Sequence, residues 1–92
     1  MIRAIRESDI EDYLVRRANA LSGEVRKVKW IGRRGAPDRV VMLPGSQLYW
    51  VELKRPGEQA EPHQAREHTR MRRLGQQVFV VDSLDVINLL LR

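Results

Sequence analysis

The chain contains no cysteine. That excludes disulfides and any thiolate-held zinc or iron–sulfur centre. It also lacks a long hydrophobic run. Leu89-Leu90-Leu91 is the longest apolar stretch near its end, far short of the ~20 residues of a membrane-spanning helix. The opening Met1–Glu7 segment has no apolar core of a secretory leader, so the expected compartment is the cytoplasm and no membrane partner is expected. Only two histidines occur, His63 and His68. Five residues apart, they fall on different faces of a helix, which argues against a two-histidine metal site. No linker, repeat or low-complexity tract is present.

What remains is compact and basic. The 92 residues are read as one domain, 1–92, with a modest core. At 42% hydrophobic and 32% charged, the composition suits a folded chain and not a disordered one. The net charge is +5, and all but three of the 17 basic residues are arginine, the exceptions being Lys27, Lys29 and Lys54. Arginine presents a planar fork that matches phosphate, so the bias favours an anionic polymer as partner. The plainer alternative is a basic protein surface with no nucleic-acid role.

Periodicity gives the elements. Ser8 is placed to open a first helix, with Ile10, Leu14, Ala18 and Leu21 along one apolar stripe and Gly23 ending it. Glu24–Ile31 alternates as a basic strand. Val40–Leu43 and Leu48–Leu53 read as a hairpin around Pro44-Gly45-Ser46-Gln47. Pro62 starts a second helix that Gly75 ends, with Gln64, His68 and Met71 sharing a face. Gln77–Val81 reads as a buried strand, and Ser83 caps a last helix, Leu84–Leu91. The order α-β-β-β-α-β-α implies an α/β fold: a mixed central sheet flanked by helices.

The residues with chemistry sit on that hairpin. Asp38 follows Pro37, and Glu52-Leu53-Lys54 follows fourteen residues later. With Leu43 paired to Leu48, Asp38 falls near Leu53, while Glu52 and Lys54 point to one face. Asp38 and Glu52 then supply the hard oxygen ligands that Mg²⁺ or Mn²⁺ prefers, and the Leu53 main-chain carbonyl can add a third. Lys54 beside them can orient a nucleophile or offset charge on a phosphate. The alternative is an ordinary Glu–Lys pair on a solvated strand. Arg33 and Arg34, in the glycine-bounded loop Gly32–Pro37, and Arg39 flank the site and suit contacts to a DNA backbone. Trp30 and Trp50 are read as packing residues, and His68 as half-buried packing beside Met71.

Pro37-Asp38 and Glu52-Leu53-Lys54 resemble the PD-(D/E)xK nuclease motif. Gly35-Ala36-Pro37-Asp38-Arg39, Trp50-Val51-Glu52-Leu53-Lys54 and Pro62-His63-Gln64 resemble the stand-alone bacterial and phage type of the VRR-NUC family, from Glu11 to about Asp82. The resemblance implies a restriction-endonuclease-like αβββαβ core, here with an extra C-terminal helix. It implies Mg²⁺- or Mn²⁺-dependent cleavage of branched DNA such as four-way (Holliday) junctions. It gives Gln64 a catalytic place, facing the phosphate or holding Lys54; taken alone, Gln64 is a solvated helix position. It gives Glu11 a place at the metal, although Ser8-Asp9-Ile10-Glu11 equally fits a capping box. Two symmetric cuts in a junction need two sites, so a homodimer is expected, with Leu48, Tyr49 and Trp50 suited to its interface. A non-catalytic nucleic-acid-binding module, and a nuclease preferring flaps or duplex DNA, are the alternatives.

Overall fold

The computed structural model describes residues 4–92. The first three residues of the Met1–Glu7 segment lie outside the described residues. The elements are α1 (Glu7–Ala20), β1 (Glu24–Lys27), β2 (Arg39–Leu43), β3 (Gln47–Leu53), α2 (Pro62–Arg73), β4 (Val78–Val81) and α3 (Leu84–Leu90). The strands form one sheet in the order β1-β2-β3-β4. β1/β2 and β2/β3 are antiparallel, whereas β3/β4 is parallel, joined through α2. This is the mixed αβββαβ arrangement expected, with α3 added.

The two sheet faces are covered unequally. On one, Ile10, Leu14 and Ala18 of α1 meet Val41, Val51, Leu53 and Val81 of the sheet and Ile87 and Leu91 beyond it. Ile10, Leu14 and Ile87 are fully buried; burying each such side chain stabilises the fold by roughly 1.5–3 kcal/mol. On the other face α2 packs on β4. His68 and Met71 are buried there, and Arg72 donates two hydrogen bonds to the Val78 carbonyl. Trp30 and Trp50 pack together with ring centroids 5.2 Å apart. Each indole N–H is satisfied, Trp30 by the Pro37 carbonyl and Trp50 by Gln76. Packing is therefore their role in the folded chain.

Three local expectations need correction. First, the hairpin pairs Leu43 with Gln47, not Leu48. Gly45 and Ser46 both take left-handed backbone, φ 81 and 62, so the chain reverses within Pro44-Gly45-Ser46 and Gln47 already belongs to β3. Second, β1 ends at Lys27 instead of running to Ile31, which is 95% exposed. Val28 N–H still reaches the Asp38 carbonyl. Beyond that bond the chain leaves extended geometry at Gly32, whose φ of 74 is left-handed backbone. Third, α1 is capped by Arg6 and Asp9, not Ser8 and Glu11. The Asp9 carboxylate accepts from the Arg6 N–H at 2.8 Å, while Glu11 is held by Arg39.

Candidate active site

Pro37 sets the geometry. It is fully buried, and its carbonyl is held by the Trp30 indole at 2.7 Å. Asp38 follows at the mouth of β2. Continuing the β2/β3 register by one residue puts Asp38 opposite Glu52. The expected pairing with Leu53 would have put the two carboxylates on opposite faces, because a one-residue slip inverts the pleat. One residue further, Leu53 comes opposite Pro37. Proline offers no N–H there, so the Leu53 carbonyl is left without the ladder donor that any other residue would supply.

Glu52 is buried, with a side chain 11% exposed, whereas the Asp38 side chain is 58% exposed. Burial, reinforced by the Asp38 carboxylate, pushes Glu52 up to about 7. Lys54 pulls it down, Glu7 pushes it up again, and Arg39 opposes. All five groups therefore share one local field. The Lys54 backbone N–H bonds the Val81 carbonyl, which seats that residue at the end of the parallel β3/β4 pair.

Gln64 is brought to the same end by Gly35. A β-carbon on Gly35 would lie 2.9 Å from the His63 carbonyl and 3.2 Å from the Gln64 α-carbon, and its φ is +84. The loop that precedes Asp38 thus lies against the first turn of α2, an approach open to glycine. Gln64 itself caps α2, its side-chain carbonyl accepting from the Glu61 N–H at 2.8 Å. The glutamine N–H₂ group remains as the donor that could face a substrate.

Two acids of α1 lie near this end of the sheet, and their partners differ. Glu11 forms an ion pair with Arg39, whose side chain is only 14% exposed and also lies 3.2 Å from Asp38. Glu7, one turn earlier, is the α1 carboxylate that acts on Glu52. Its signal in the sequence is its spacing, three and seven residues before Ile10 and Leu14 on the buried stripe. Of the three flanking arginines, Arg33 and Arg34 are exposed, with Arg33 lying 3.5 Å from Glu67. Arg39 is turned inward and offers little surface to DNA. His68 is 1% exposed, deeper than the half-buried packing expected, and its Nε2 is 3.9 Å from a Glu52 oxygen.

These residues fit a hard divalent cation. A buried carboxylate raised by a second carboxylate opposite it is an arrangement that positive charge relieves. Among the described residues no three histidine or acidic side chains are gathered into a ready-made cage. A few protein oxygens with water completing the shell is how Mg²⁺ is usually held.

No protein-family model matches the chain. The chain is 46% identical over 89 residues to "Putative nuclease p44" of Acyrthosiphon pisum secondary endosymbiont phage 1, an alignment spanning 97% of this chain and 96% of that protein. A solved structure described as a VRR_NUC domain superposes on it with a TM-score of 0.84 and 42% identity, over 95% of each chain. With the Asp38–Glu52–Lys54 geometry on the same framework, the chain belongs to the VRR_NUC family of nucleases.

Proposed function

We propose that this chain, acting as one 92-residue nuclease domain, is a divalent-metal-dependent endonuclease that cuts branched DNA, four-way junctions foremost. The observation that carries it is the pairing of Asp38 with the buried, raised Glu52 in the field of Lys54. Asp38, Glu52 and the Leu53 carbonyl would hold Mg²⁺ or Mn²⁺. Glu7 is better placed than Glu11 to approach from α1. A bound divalent ion supplies Lewis-acid polarisation of the phosphate and a water of lowered pKa. Lys54 orients the attacking water or offsets charge growing on the phosphate. The Gln64 N–H₂ group, fixed by its cap, steadies the phosphate or Lys54. Arg33 and Arg34 grip the backbone without reading bases, so selection is by DNA shape.

Two symmetric cuts call for two copies, so the active form is a C₂ homodimer. Met42 and Leu48 support this: both are 37% exposed, and they pair on the sheet face that carries Val40 and Trp50. Tyr49 packs edge-on to Phe79 inside the chain and leaves the interface to its neighbours. The expected site of action is the cytoplasm of a bacterium or of a phage-infected host. No helix among the described residues is long and apolar enough to cross a membrane.

The test is cleavage of labelled four-way junctions, flaps and plain duplex, with and without Mg²⁺ or Mn²⁺, alongside Asp38→Ala and Lys54→Ala. Metal-dependent cutting of the junction that both substitutions abolish supports the reading. Binding without cutting, or variants that cut like the parent, would leave a non-catalytic binding module. Preference for flaps or duplex would reassign the substrate.

A further inference from the structure

α2 presents two unlike faces. Inward, His68 and Met71 are buried against the sheet. Outward, Ala65 and Thr69 line a shallow furrow with Arg66, Arg70 and Arg73. Arg66, Arg70 and Arg73 are four and three residues apart, so they form one stripe. At 1.5 Å per residue the stripe is about 10 Å long.

The single acid within α2 does not face this furrow. Glu67 is 4% exposed, and its carboxylate accepts from Arg70 at 2.9 Å and lies 3.5 Å from Arg33. It is a buried anchor that ties a helix arginine to a loop arginine. Through Glu67 the Arg33 side of the loop is tied to the arginines along the outside of α2. Basic residues in a last turn complement the helix dipole, which suffices for Arg72 and Arg73. Arg66 lies near the opposite end, where the dipole favours acids, so the dipole does not explain it.

We propose that the outward face of α2, together with Arg33, seats the phosphate backbone of a DNA segment flanking the one held at Glu52. The proposal rests on the nuclease reading above. Guanidinium forks match phosphate oxygens, and the small floor of Ala65 and Thr69 lets a backbone approach closely. No feature of the furrow reads bases. A branched substrate offers such a flanking segment, and a short duplex offers less of one.

The test is binding of the whole chain to a labelled four-way junction and to a short duplex, without divalent metal, across a salt series. One variant carries Arg66→Gln, Arg70→Gln and Arg73→Gln. A charge-matched control carries Arg6→Gln, Arg16→Gln and Arg92→Gln. For the furrow variant the slope of log K against log salt on the junction falls by about 2–3, at roughly 0.9 per lost phosphate contact, while the control keeps the parent slope. Arg66→Gln with Arg73→Gln spares the Glu67 pair and loses about 1–2 of that slope, which covers the case in which the triple variant misfolds. Equal losses in furrow variant and control would show only a diffuse charge field and overturn the proposal, as would no loss in either. A furrow variant that changes the mass of the particle, and not the slope, would assign the face to a second copy instead. Because binding is read without metal, a slope loss in the furrow variant alongside a parent that never cuts sinks the nuclease reading alone.

Discussion

His68 Nε2 lies 3.9 Å from Glu52 Oε1, with the two side chains 1% and 11% exposed. That nitrogen has no hydrogen-bond partner among the described residues. Burial, with Arg72 nearby, holds the imidazole below its usual range, so it faces Glu52 as a neutral ring. A buried polar atom without a partner costs about 1–3 kcal/mol, and the carboxylate within a small movement of it is the one proposed to hold the metal.

His68 should therefore steady Glu52 for metal. Replacing it with leucine, which keeps bulk but has no donor, is expected to raise the Mn²⁺ midpoint in a direct binding titration by roughly 10–100-fold. His68→Gln restores a donor and should recover much of that loss. If the leucine variant binds Mn²⁺ like the parent, His68 serves packing alone.

The raised Glu52 makes a pH prediction for the metal-free protein. A carboxyl whose folded pKa, about 7, exceeds its ordinary 4.5 binds more protons folded than unfolded between those values. Stability from this group is therefore fully present below pH 4.5 and is lost as pH rises to 7. The loss is up to about 3 kcal/mol. His68 acts in the opposite direction, its stability falling as pH drops below 6.5. Comparing denaturation of the parent and Glu52→Gln from pH 4.5 to 8 isolates the Glu52 contribution, and parallel curves would refute it. Asp38→Asn should lower the Glu52 midpoint and Lys54→Met should raise it, both readable by carboxyl NMR.

The two acids of α1 should separate cleanly. Glu11→Gln breaks a partly buried pair with Arg39 and should cost stability by about 1–2 kcal/mol in denaturant melts. Glu7→Gln, at an exposed position, should leave the melt within about 0.5 kcal/mol but shift the metal concentration needed for cleavage. The reverse pattern would return Glu11 to the metal site.

Gly35→Ala tests the seating of α2. Its new β-carbon would meet main-chain atoms of His63, and φ +84 is unfavourable for alanine. The expected cost is at least about 1 kcal/mol, with a larger fractional loss of cleavage as the first turn of α2 and Gln64 move away. Gly57→Ala has a similar φ of 83 but open space around it, so it should cost stability while leaving cleavage largely intact. Equal effects of both on cleavage would show that the contact at Gly35 does not matter to the site.

Much of this protein is legible along the chain. Alternating and helical periodicities place all seven elements, with Gly75 ending α2 and Ser83 capping α3 through Val86 N–H. Pro37-Asp38 and Glu52-Leu53-Lys54 mark the candidate site because residue type and spacing are local properties. The tertiary structure decided what depends on a third partner. The left-handed backbone at Gly45 and Ser46 chose the register that sets Asp38 opposite Glu52, and a shift of one residue would have separated them. Arg39 claimed Glu11, which left the helix cap to Asp9 and the approach to Glu52 to Glu7. Competition of this kind, several donors for one carboxylate, is settled by distance and burial in the folded chain, and neighbouring residues in sequence carry no record of it.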